Sequence, residues 1–127
     1  MRFYEYGPTH AEYALCLNEK SFVRAMDKMK VPPEDRLQFV SDGKNATAHF
    51  FETDKGLRCL VCVGDVSQYS HVEVMGLICH ECVHVWQAIR EWMGERAPGE
   101  GIEAYSIQSI FVNLMSEWNR KSRARLG

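Results

Sequence analysis

Strand patterns fill the first half of this 127-residue chain and helix patterns fill the second, with the change near Asp65. Residues 46–53 and 57–64 read as two strands, and Asp54-Lys55-Gly56 between them is a turn that closes a hairpin. Upstream, residues 2–6 and 11–17 read as shorter strands separated by a Gly7-Pro8 turn, and residues 37–40 as another, closed by Ser41-Asp42-Gly43. One helix interrupts them. Asn18 or Ser21 caps it, Phe22, Val23, Met26 and Met29 recur at helical spacing, and Pro32-Pro33 ends it.

Downstream the spacing predicts two longer helices. The first runs from Val72 or Val74 to about Met93 with Gly94 as its stop, the second from Ile102 to about Lys121. Residues 95–101, with Pro98, Gly99 and Gly101, form the loop between them. Ile107, Ile110, Phe111, Leu114 and Trp118 make one apolar stripe on the last helix. Strands first and helices last predict an α+β domain: a small, mostly antiparallel sheet with one N-terminal helix and two C-terminal helices packed on it. No repeat, low-complexity run or linker divides the sequence, so residues 1–127 are expected to fold as one domain.

Composition narrows the partners. With 46% hydrophobic and 25% charged residues, the chain has the balance of an ordinary globular protein. A net charge of −2 gives no reason to expect nucleic acid or an anionic membrane as a partner. The cationic run Arg120-Lys121-Ser122-Arg123-Ala124-Arg125 reads as the solvated, frayed end (residues 120–127) of the last helix, where cations suit the helix dipole. No stretch has the apolar length of a signal-peptide core or a membrane span, so an intracellular, cytoplasmic protein is expected. Five cysteines, an odd number without an export signal, point to thiols or metal ligands rather than disulfides.

Two metal motifs overlap in Cys79-His80-Glu81-Cys82-Val83-His84. Cys79 and Cys82, taken with Cys59 and Cys62, have the spacing of a four-cysteine zinc module. However, Cys59-Leu60-Val61-Cys62 is an apolar strand run, and strand residues three apart point to opposite faces. These cysteines are expected to be buried thiols. His80-Glu81-Cys82-Val83-His84 fits H-E-x-x-H on a helix, which sets His80 and His84 about 40° apart and one turn above each other. Cys79, Cys82, Val83, Trp86, Ile89 and Met93 fall on a different, apolar arc, so the helix has a dry side and a histidine side.

A catalytic zinc keeps three protein ligands and an open position, and two His with one Glu is a known set. One zinc ion held by His80 and His84 leaves Glu81 beside that open position as general base towards water. Glu91, Glu95, Glu100 and Glu103 are the candidates for the third ligand. Glu103 is favoured, since it opens a rigid helix and small Ala104 lets that helix come close.

HECVH followed by Glu103-Ala104-Tyr105 resembles the gluzincins, the thermolysin-like branch of zinc metallopeptidases. The wider string, His80 to Gln87, Gly94-Glu95 and Glu103 to Gln108, also resembles small H-E-x-x-H proteins encoded by phages and prophages, over residues 46–118. The first resemblance implies a zinc-dependent hydrolase of peptide or protein substrates, with His80, His84 and Glu103 on the metal and Glu81 as base. It also makes Tyr105 and His71 candidates to steady the oxyanion. Where the family has an Asp four residues after the ligand Glu, this chain has Ile107. The second resemblance leaves open a non-catalytic assembly or host-interaction protein in which zinc only fixes two helices together.

Overall fold

The computed structural model describes residues 1–7, 9–94 and 99–126, with side chains as far as Ser122. In chain order the elements are β1 (Phe3–Glu5), β2 (Ala11–Cys16), α1 (Glu19–Lys28), a 3-10 turn (Pro33–Asp35), β3 (Ala46–Thr53), β4 (Gly56–Val63), α2 (His71–Trp92) and α3 (Glu100–Leu126). This is the expected α+β arrangement, with one helix among the strands and two after them. The sheet order is β1-β2-β4-β3. Its outer pairings are antiparallel, and the central one, β2 with β4, is parallel, so the sheet is mixed.

β2 and β4 are buried on both faces and read as near-continuous apolar runs, as strands in a covered sheet do. Tyr13, Leu15, Cys59, Val61 and Val63 face α2 and α3, while Ala14, Cys16, Leu60 and Cys62 face α1 through Phe22, Ala25 and Met26. The period of two therefore sends Cys59 and Cys62 to opposite sides of the sheet. Burial pushes the Cys59 thiol up to about 12, so it is protonated at neutral pH.

Local chemistry sets the ends of the elements. Asn18 caps α1 by accepting from the Ser21 amide at 2.8 Å. α1 stops before the prolines, at Lys28, and Lys30 just beyond it, at φ 57°, turns the chain left-handed. Ser70 and Glu73 form a reciprocal capping box that starts α2. Gly94, at φ 77°, ends it in the manner expected. Gly56 is required by proximity as well as by its φ of 124°: a Cβ there would lie 1.8 Å from the His10 carbonyl oxygen, which accepts from the Leu57 amide.

Residues 37–40 are not a strand. This segment is held by packing: Phe39 and Val40 lie against the α1-side core, and the Phe39 carbonyl oxygen is 2.9 Å from Nε2 of buried His49. Pro8 and residues 95–98, which carry parts of the expected turn and loop, fall outside the described residues.

α2 lays Val74, Ile78, Cys82, Val85 and Ile89 on the sheet. α3 then covers α2 and β2, with Ile110 and Leu114 fully buried and Ile107, Phe111 and Trp118 half-buried, so the expected stripe faces the core. Glu117 is 3% exposed and accepts from Tyr4 Oη (3.0 Å) and Arg120 (2.6 Å), which hold its carboxyl below the usual range. α3 continues through the cationic run to Leu126. No described helix is long and apolar enough to cross a membrane.

These burials order two substitutions. Leu114→Ala is expected to cost about 2–5 kcal/mol in chemical denaturation, the usual range for a leucine in a filled core. Phe111→Ala costs less than the roughly 3–5 kcal/mol of a fully buried phenylalanine, because part of its ring is already in water. Equal unfolding midpoints for wild type and Leu114→Ala would contradict this packing of α3.

Candidate metal centre

Val74, Ile78, Cys82, Val85 and Ile89 fix α2 against the sheet, so the arc carrying His80 and His84 must turn to solvent; Cys79, expected on the dry arc, is exposed instead. Both histidines are exposed, and their rings stand edge to face with centroids 4.8 Å apart. Their Nε2 atoms are 3.2 Å apart. Two nitrogens on one tetrahedral zinc, each at about 2.0–2.1 Å, stand about 3.3–3.4 Å apart. The pair is thus already near chelating separation. Among the described residues, His80, Glu81 and His84 form a group whose ligand atoms all lie within 4.8 Å of one another.

A neighbour sets the tautomer. Gln87 Oε1 lies 3.2 Å from His84 Nδ1. A carboxamide oxygen only accepts, so Nδ1 carries the proton and the lone pair is on Nε2, the atom that faces His80. A metal would sit between the two Nε2 atoms and take a lone pair from each. Imidazole nitrogens with an open side suit zinc.

Glu81 lies one step round the helix, on the border between the arcs, and is 6% exposed. It opens into a cleft of about 850 Å³ between α2 and β3, shared with His80, His84, Ala48 and Phe50. β3 is the outermost strand, so one of its edges is unpaired by the sheet; β4, the other strand considered for peptide pairing, is paired on both sides and offers none. At the far end of the cleft, Asn45 hydrogen-bonds Tyr69.

The other expected site residues lie elsewhere. The Glu103 carboxylate accepts from Trp86 Nε1 at 3.3 Å and faces Arg90 at 3.7 Å. Trp86 is two residues beyond His84, about 200° round the helix, so Glu103 sits on the opposite flank of α2 from the histidines. The set His80, His84 and Glu103 is therefore not assembled. The cause is packing: α3 is drawn to the dry arc that Trp86 borders, and its first turn goes with it. Tyr105 is 74% exposed on α3 and His71 is exposed at the start of α2; neither lines the cleft. Glu91 is exposed two turns beyond His84, Glu100 is exposed at the start of α3, and Glu95 is outside the described residues.

The sequence reading missed Phe50, Tyr69 and Asn45 as cleft residues. Alternation along 46–53 puts Ala46, Ala48 and Phe50 on one face and was the available signal for Phe50. No family model, no curated protein and no solved structure matches the chain.

Two substitutions separate the roles of Gln87 and Glu103. Gln87→Leu removes the partner of His84 and, for zinc held on the histidine pair, is expected to weaken binding about 10–100-fold with little change in the unfolding midpoint. Glu103→Gln keeps the acceptor for Trp86 and is expected to leave zinc affinity unchanged. Competition titration of zinc against a chromogenic chelator measures both, and the reverse order of effects would place Glu103 on the ion.

Proposed function

We propose that the chain is a zinc-dependent peptidase. The observation that carries this reading is the 3.2 Å separation of the His80 and His84 Nε2 atoms, with the Glu81 carboxylate in the same group and a cleft in front of it. His80 and His84 would supply two of the three protein ligands that a catalytic zinc keeps, and among the described residues the group holds no third apart from Glu81 itself. Zinc held there supplies Lewis acidity, which polarises a carbonyl and lowers the pKa of water to about 7.

The chain's own residues do the rest. Glu81, low in the cleft and largely shielded from bulk water, takes a proton from the attacking water and returns it to the leaving amine. Gln87 keeps the His84 lone pair directed at the metal position. The substrate is proposed to be an extended peptide, because the free edge of β3 offers backbone donors and acceptors along the same cleft. Small Ala46 and Ala48 leave room beside that edge, and Phe50 gives an apolar contact next to the histidines.

The test is wild type against Glu81→Gln on a mixed peptide library, with zinc measured in both. Glu81→Gln keeps size and hydrogen-bonding reach but not basicity. Folding and zinc content should survive, while cleavage falls by about 10²–10⁴. His80→Ala should lose most of the zinc, and the double variant Cys59→Ser, Cys62→Ser should keep it. Zinc bound without cleavage by wild type would favour a non-catalytic metal site, and cleavage that persists in Glu81→Gln would remove Glu81 from the chemistry.

A further inference from the structure

We propose a second site, on the opposite face of the sheet from the metal centre, that binds a small phosphate-bearing molecule. Under α1 that face is apolar, built from Ala14, Cys16, Leu60 and Cys62. Further along the same strands it becomes charged: Glu12 and Arg58 stand opposite each other in the register and form an ion pair. α1 ends at Lys28, before it can cover this pair. What remains is a cavity of about 310 Å³. Phe3 and Arg58 lie at its base, Lys28 and Lys30 come from the end of α1, and Lys55 comes from the β3–β4 turn.

The charge is out of keeping with the rest of the molecule. The chain carries −2 overall, yet four cations line this one cavity against a single acid, Asp54. Glu12 already neutralises Arg58. The side chains of Lys28, Lys30 and Lys55 have no ion-pair or hydrogen-bond partner among the described residues. Like charges held around one concavity raise each other's energy, and a bound anion relieves this. Of the carbonyls at the end of α1, which disfavour an anion, those of Ala25, Asp27 and Met26 accept from the amides of Met29, Lys30 and Val31.

The backbone gives a second, separate observation. Lys30 has φ 57° just past the helix, a position that glycine takes without strain and a lysine Cβ does not. This left-handed residue turns the chain past the helix end and brings the Lys30 side chain to the cavity. Ligand chemistry follows from the walls. Lysine ammoniums bind phosphate as point charges. Phe3, Ala25 and Met29 supply an apolar side, with the Arg58 guanidinium 5.5 Å from the centre of the Phe3 ring. Phosphate plus a small, partly apolar body of mononucleotide size fits both walls and the volume.

The probe is adenosine monophosphate, titrated calorimetrically into the full chain at low, fixed ionic strength, with adenosine and inorganic phosphate in parallel. Saturable binding of the nucleotide is expected, weaker binding of phosphate, none of adenosine, and a loss of affinity as salt is raised. The double variant Lys28→Ala, Lys55→Ala should bind about tenfold more weakly or worse. Lys30→Gly separates binding from folding: its unfolding midpoint should hold or rise as the left-handed strain is relieved, while nucleotide affinity falls. His84→Ala should bind as wild type does, which keeps the result independent of the metal centre. The proposal is overturned if wild type binds neither nucleotide nor phosphate saturably, if adenosine binds as tightly as the nucleotide, or if both lysine variants bind like wild type.

Discussion

The rotation of α2 about its own axis governs the other features of this molecule. Ile78, Cys82, Val85 and Ile89 are completely buried against the sheet, and at about 100° per residue they leave no freedom in where the remaining side chains point. His80 and His84 go to the cleft, Trp86 goes to the other flank, and Glu81 falls on the boundary. Burial of four apolar side chains thus sets the direction of the histidines, and Gln87 adds the ring orientation. A rotation by one residue would break both the core and the candidate site, so stability and site geometry rest on the same contacts.

The same constraint explains what could be read in the sequence. Period and turn chemistry identified the β3–β4 hairpin, both long helices and the opposed faces of Cys59 and Cys62, because each is decided within a few neighbouring residues. Ser70-x-x-Glu73 would have placed the start of α2 more closely. Three features depended on partners far away in the chain. Residues 37–40 have strand-like composition, but the Phe39 carbonyl is bonded to His49 instead of to a ladder. The parallel pairing of β2 with β4 is set by where α1 returns the chain. Glu103 was favoured as a ligand for its place at the start of a helix, and the docking of α3 on the dry arc sends it to Trp86 instead.

The two faces of the sheet differ in how they use charge. On the α2 side the candidate ligands lie on the helix, above an apolar layer. On the α1 side a cross-strand ion pair lies in the sheet itself, just where the short helix ends. A ten-residue helix over six- and eight-residue strands leaves part of one face open, and the chain fills that part with charged residues, Glu12 and Arg58 in the sheet and Lys28, Lys30 and Lys55 around it. The shortness of α1 therefore matters as much as its amphipathic pattern.

The parallel contact at the centre of the sheet also dictates an order of assembly. β3, β4 and α2 are consecutive and can form from local contacts, but β2 finds β4 only after about 40 intervening residues have been made, and loop closure over such a span slows folding. Until then β2 has apolar groups on both faces and only three-residue β1 beside it. The final lock comes later still: Tyr4 bonds to Glu117, and Lys121 Nζ lies 3.3 Å from the Leu15 carbonyl oxygen. The first strands of the nascent chain are thus secured by residues more than a hundred positions downstream.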